Sequence, residues 1–140
     1  MTIAIDFDGT IVEHRYPEIG REIPFAIDTL KMLARDGHRL ILWGVREGAL
    51  LEEAIAWCRA RGVEFYAANK DFPEETTKHD NFSRKLKVDL FIDDRNVGGL
   101  PDWGLIYRMV TEGKSYREVL MDDIKENSTT QKTKKWWQFG

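Results

Sequence analysis

The chain has 140 residues, 42% hydrophobic and 32% charged, with a formal net charge of −3. That length suits one layered core, and the balance excludes wholesale disorder. There is no basic footprint for nucleic acid, no run of roughly 18 apolar residues to span a membrane, and one cysteine, Cys58, cannot close an internal disulfide.

Met1-Thr2 leads directly into an apolar segment with no basic n-region, so the expectation is a cytoplasmic protein. Ile3 to Phe7 is too short for a helix and reads as a buried strand. After a loop to about Glu22, the residues Ile23, Ile27, Leu30 and Ala34 recur at helical spacing, with Pro24 suited to the first turn and Gly37 to the position just past the end. Leu40 to Trp43 predicts a second strand. Leu50, Leu51, Ala54, Ile55 and Cys58 mark a second helix that Gly62 ends. Val63 to Ala68 reads as a third strand and Asp89 to Asp93 as a fourth. Between them lie a polar loop from Asn69 to Asn81 and a short helical turn near Lys85.

Trp103 to Glu112 has a helical pattern, and Ser115 with Glu118 forms a capping box that opens a final helix. From Lys125 to Lys135 the chain is polar and unpatterned. Residues 1–124 are therefore expected to form the domain, and residues 125–140 a disordered tail that ends in the aromatic cluster Trp136, Trp137 and Phe139. Trp43, Trp57 and Trp103 fall in apolar patterns and are expected in the core.

Strands alternating with helices predict an α/β fold: a three-layer, Rossmann-like, doubly wound and mostly parallel sheet. Right-handed crossovers put the C-terminal strand ends on one edge, where ligands of such sheets bind. Two acidic pairs fall there, in Asp6-Phe7-Asp8-Gly9-Thr10 and in Ile92-Asp93-Asp94. Period-two alternation puts Asp6 and Asp8 on the same side of an extended backbone. Four carboxylates at one edge repel one another, and a hard divalent cation relieves the repulsion; an all-oxygen, water-rich site suits Mg²⁺. A calcium-binding EF-hand loop does not fit, because the glycine comes too early and no acid lies at the required distance.

The segment Asp6 to Thr10 resembles motif I of the haloacid dehalogenase superfamily, and Ile92-Asp93-Asp94 resembles its acidic motif IV. Lys85, eight residues before Asp93, matches the spacing of the lysine in small members of that superfamily. The resemblance implies a Mg²⁺-dependent phosphomonoester hydrolase. Asp6 would be the nucleophile that forms an aspartyl-phosphate, and Asp8 the general acid and base. Asp6, the Asp8 main-chain carbonyl and the Asp93-Asp94 pair would hold the metal, with either aspartate of the pair as direct ligand, and Lys85 would neutralise the phosphate.

Between Thr10 and Leu40 there is room for a flap and one helix but not for a cap domain, so the resemblance is to a capless member with an open site. The implied substrate is a small-molecule phosphate ester such as a sugar phosphate or nucleotide. Water exclusion then falls to loops, to a neighbouring subunit of a homo-oligomer, or to a large substrate.

Gly44 departs from the pattern, because the superfamily places a Ser or Thr at the end of the second strand. The main-chain N–H groups of Gly44 and Val45 are expected to face the phosphate instead. Arg46 either grips a phosphate or sugar oxygen or pairs with Glu47 or a site aspartate. The loss of the hydroxyl keeps open a non-catalytic or weakly active phosphate-binding domain. A receiver-like signalling domain shares the acidic α/β site but places its aspartates on other strands.

Overall fold

The computed structural model describes the backbone of residues 1–139 and the side chains of residues 1–128. Two strands set the core of the first unit, Met1–Leu100: β1 (Thr2–Ile5) and β2 (Arg39–Leu42). Ile3, Ala4 and Ile5, and likewise Leu40, Ile41 and Leu42, are buried in succession. Continuous burial means that both faces of the central strands are covered, the condition under which parallel sheets occur. The short β3 (Ala67–Ala68) and β4 (Leu90–Ile92) complete a four-stranded, all-parallel sheet in the order β3-β2-β1-β4. The fold is α/β, with four helices among the described residues.

Register places Ile5 beside both Leu42 and Ile92, and Leu42 beside Ala68. The ladder then continues one residue further: Asp6 N–H donates to the Ile92 carbonyl at 3.0 Å, Trp43 N–H to Ile5 at 2.9 Å, and Asn69 N–H to Leu42 at 2.7 Å. Asp6, Trp43, Asn69 and Asp93 thus leave the sheet along one edge.

Helix α1 (Ala26–Arg35) begins later than the apolar spacing suggests. Phe25 adopts a left-handed conformation (φ 67°) just before it, and Glu22 accepts the Ile27 N–H at 2.9 Å. Pro24 stays in the preceding turn. The buried face is Ala26, Ile27, Thr29, Leu30 and Leu33, so Leu33 takes the place expected for Ala34. Helix α2 (Gly48–Ala60) buries Ala54 and Cys58, and burial pushes the Cys58 thiol up to about 12, which makes it inert. Trp57 is half-buried, edge-on to Phe7 with ring centroids 5.7 Å apart. The expected third strand shrinks to two residues, and the segment around Lys85 bends without forming a helical turn.

The second unit starts at Pro101 rather than at a boundary near residue 124. Helix α3 (Trp103–Glu112) is capped by Asp102, whose carboxylate accepts the Leu105 N–H at 3.0 Å, and it ends at Gly113 with φ 64°. Trp103, Ile106 and Val110 are buried. Ser115 accepts the Glu118 N–H at 3.2 Å, one half of the expected capping box ahead of α4 (Tyr116–Phe139), while the Glu118 carboxylate accepts from the Ser115 hydroxyl at 3.1 Å. The helical backbone runs through the segment expected to be a tail; Lys, Glu and Gln are good helix formers without an apolar stripe. The side chains of the terminal aromatic cluster lie outside the described residues. No described helix is long and apolar enough to cross a membrane.

Candidate active site

At the sheet edge, the carboxylates of Asp6, Asp93 and Asp94 offer oxygens all within 4.8 Å of one another. β1 delivers the first and β4 the other two. Burial, the hydrogen bond with Asp94 and the negative charge of Asp93 push Asp6 up to about 7. Three half-buried carboxylates this close call for a proton or a cation among them, and an all-oxygen donor set fits a hard divalent ion.

Thr10 ties the group together. Its hydroxyl accepts the Asp94 N–H at 3.0 Å and lies 3.2 Å from Asp94 Oδ1 and 3.4 Å from Asp6 Oδ2. Gly9, at φ 87°, leaves the space that Asp94 fills, since a Cβ there would overlap its carboxylate.

Asp8 stands apart from this cluster. Its two oxygens accept from Arg46 Nε at 2.7 Å and Nη2 at 2.8 Å, with both side chains buried. Hydrogen bonds to Asp8 raise the Arg46 guanidinium further above its ordinary value. The same guanidinium donates to the carbonyls of Pro17 at 3.1 Å and Glu18 at 2.9 Å, and lies against the rings of Phe7 and Tyr16 at 5.2 and 5.3 Å. Of the partners open to Arg46, the site aspartate is the one it takes.

A cavity of about 320 Å³ opens over these groups. Of the expected site residues, Asp6, Asp8, Gly44, Val45 and Asp93 line it. Gly44 abuts Asp6, the expected nucleophile: a Cβ there would lie 3.1 Å from Asp6 Oδ1. Its N–H does not face the cavity as expected but donates to Asn69 Oδ1 at 2.9 Å, while Asn69 Nδ2 donates to the Arg46 carbonyl at 3.1 Å. Asn69, the first residue of the expected polar loop, is thus a strap that holds the loop after β2. Lys85 is not at the cavity wall; its Nζ lies 5.3 Å from the centre of the Phe91 ring. The loop before β4 carries no apolar period to fix that lysine by spacing alone.

His14, Tyr16, Trp43 and Arg95 also line the cavity. Trp43, expected in the core, divides itself between the cavity and the cluster around Ala4 and Ile41. The signal for Arg95 was its place directly after Asp93-Asp94; His14 and Tyr16 lie in a loop with no pattern to single them out.

No family model and no curated protein matches the chain. A solved structure of a conserved protein from Bacteroides thetaiotaomicron is similar to it, with 72% sequence identity and a TM-score of 0.81, covering 85% of this chain and 96% of that one. Identity that high over nearly the whole of the other protein shows common descent. The chain therefore belongs to the same family as this conserved Bacteroides thetaiotaomicron protein.

Proposed function

We propose that the chain is a Mg²⁺-dependent phosphomonoester hydrolase of the haloacid dehalogenase type, with a doubly wound sheet and no cap. The observation that carries this reading is the Asp6-Asp93-Asp94 cluster at the strand ends, beside the separately held Asp8. The strand order turns about β1, between β2 and β4, which is where doubly wound sheets bind their ligands.

In this reading Asp8 first takes up a proton, Asp6 attacks phosphorus in line, the bond from phosphorus to the ester oxygen breaks, and Asp8 gives that oxygen its proton. Asp8 then takes a proton from the water that attacks the aspartyl-phosphate, which releases inorganic phosphate and restores Asp6. Each Asp8 oxygen has a second lone pair beyond the one used by Arg46, so proton transfer does not require the ion pair to break. Asp6, Asp93, Asp94 and the Asp8 main-chain carbonyl would hold Mg²⁺, which offsets charge between nucleophile and phosphoryl group. The cavity suits a small phosphomonoester such as a sugar phosphate or nucleotide, its ring against Tyr16 and Trp43.

A second reading, a weakly active phosphate-binding domain, draws on two observations. Gly44 offers no hydroxyl and spends its N–H on Asn69, and Lys85 stands over Phe91. Turnover of a panel of phosphomonoesters with Mg²⁺ and with chelator separates the two. Asp6→Asn is expected to lower kcat on the order of 10⁶-fold, the scale of losing a nucleophile. Turnover that is unchanged in Asp6→Asn would refute the mechanism, and phosphate binding without turnover in the unmodified protein would favour the second reading.

A further inference from the structure

Two arginines stand near the proposed site, and their surroundings differ in kind. Arg46 is 2% exposed. A guanidinium has five N–H donors, and each of them has an acceptor here. Nε and one Nη2 donor go to Asp8, the other Nη2 donor to Glu18, and the two Nη1 donors to Pro17 and, at 3.5 Å, to Leu50. Nothing is left with which to hold a phosphoryl oxygen. Arg95 is exposed, lines the cavity, and makes no ion pair among the described residues. Its own N–H donates to Asp93 Oδ1 at 2.8 Å, which fixes its backbone beside the acidic cluster.

We infer that Arg46 is a positioning residue that acts through Asp8, and that Arg95 supplies the cationic contact for the substrate's phosphate. This rests on the phosphatase reading for its catalytic half only. Arg46 joins three segments: the end of β1 through Asp8, the flap carbonyls of Pro17 and Glu18, and the first turn of α2 through Leu50. The flap also carries His14 and Tyr16 to the cavity wall, so one buried side chain holds both the acid/base and part of the wall. The phosphate-facing role expected for Lys85 and Arg46 passes to Arg95, which can aim unspent donors at an incoming dianion.

The test uses the full chain with Mg²⁺, p-nitrophenyl phosphate as substrate and inorganic phosphate as ligand, bound phosphate being measured by titration calorimetry. Arg46→Lys keeps the charge and loses the fork; it is expected to lower kcat about 100-fold through a misplaced Asp8, with phosphate affinity within about twofold of the unmodified protein. Arg95→Ala, at the surface, is expected to weaken phosphate binding and raise KM about tenfold. Circular dichroism checks that Arg46→Lys is folded; if it is not, Arg95→Ala alone decides, and phosphate affinity unchanged in that variant overturns the inference. Phosphate affinity that falls in Arg46→Lys while kcat holds overturns it as well, because Arg46 would then be the phosphate ligand. Phosphate binding without turnover in the unmodified protein removes the phosphatase reading and leaves the assignment of Arg95 standing; no phosphate binding at all overturns both.

Discussion

Asp6 and Asp8 lie two residues apart at the end of one strand, yet their surroundings are opposite. Asp6 shares its space with two further carboxylates and is pushed up to about 7. Asp8 is matched by a buried guanidinium through two short hydrogen bonds. One region carries an excess of negative charge that a proton or a cation would offset. The other is neutral within itself and complete as folded. Strand alternation accounts for the shared direction of the two side chains but not for this contrast, which comes from which loop faces each of them.

The sharpest way to break the contrast is Arg46→Gln. It leaves Asp8 buried without a counter-charge and strips the Pro17 and Glu18 carbonyls of their donor, so a loss of about 3–5 kcal/mol is expected in urea unfolding. Arg95→Ala, an exposed position, should stay within about 0.5 kcal/mol in the same measurement. Gly9→Ala attacks the other region. A methyl group at φ 87° both strains the backbone and displaces Asp94, so a loss of roughly 1–3 kcal/mol is expected, with Mg²⁺ binding by calorimetry abolished.

A milder probe is pH. Asp6 rises from 3.8 in the unfolded chain to about 7 in the folded one, so the metal-free fold binds the extra proton between these values. Stability without metal should therefore be highest near pH 4, decline as pH rises towards 7, and level off above; thermal unfolding checks this. Mg²⁺ in the proposed site would compete with the same proton, so its apparent affinity is expected to fall by about tenfold per pH unit below 7 and be flat above.

The parts of this molecule legible from its residues are those fixed by short-range pattern. The ends of β1 and β4 carry their acids where the apolar runs stop, and α3 follows its apolar spacing from Trp103 to Glu112. The three carboxylates expected to hold the metal gather for that reason. The choice that Arg46 makes among Glu47, a site aspartate and phosphate could not be read, because it depends on a flap whose carbonyls are brought round by tertiary folding. The start of α1 slipped because the left-handed Phe25 is a conformation that its residue type does not announce. Lys85 and Asn69 exchanged importance for a similar cause: spacing along a patternless loop says little about which residue meets the strand ends.

The hydroxyl of Thr10 and the main chain of Asp94 meet across 84 positions of sequence. Proximity of this kind does not exist in an extended chain and is costly to arrange, since closing so long a loop loses entropy before any contact rewards it. The acidic cluster is therefore a property of the finished sheet and of no fragment of it. A divalent ion that recognises all three carboxylates will bind the native ensemble and ignore the unfolded one, raising the melting temperature in proportion to the logarithm of its concentration. Cation occupancy thereby becomes a readout of whether the first and last strands have found each other.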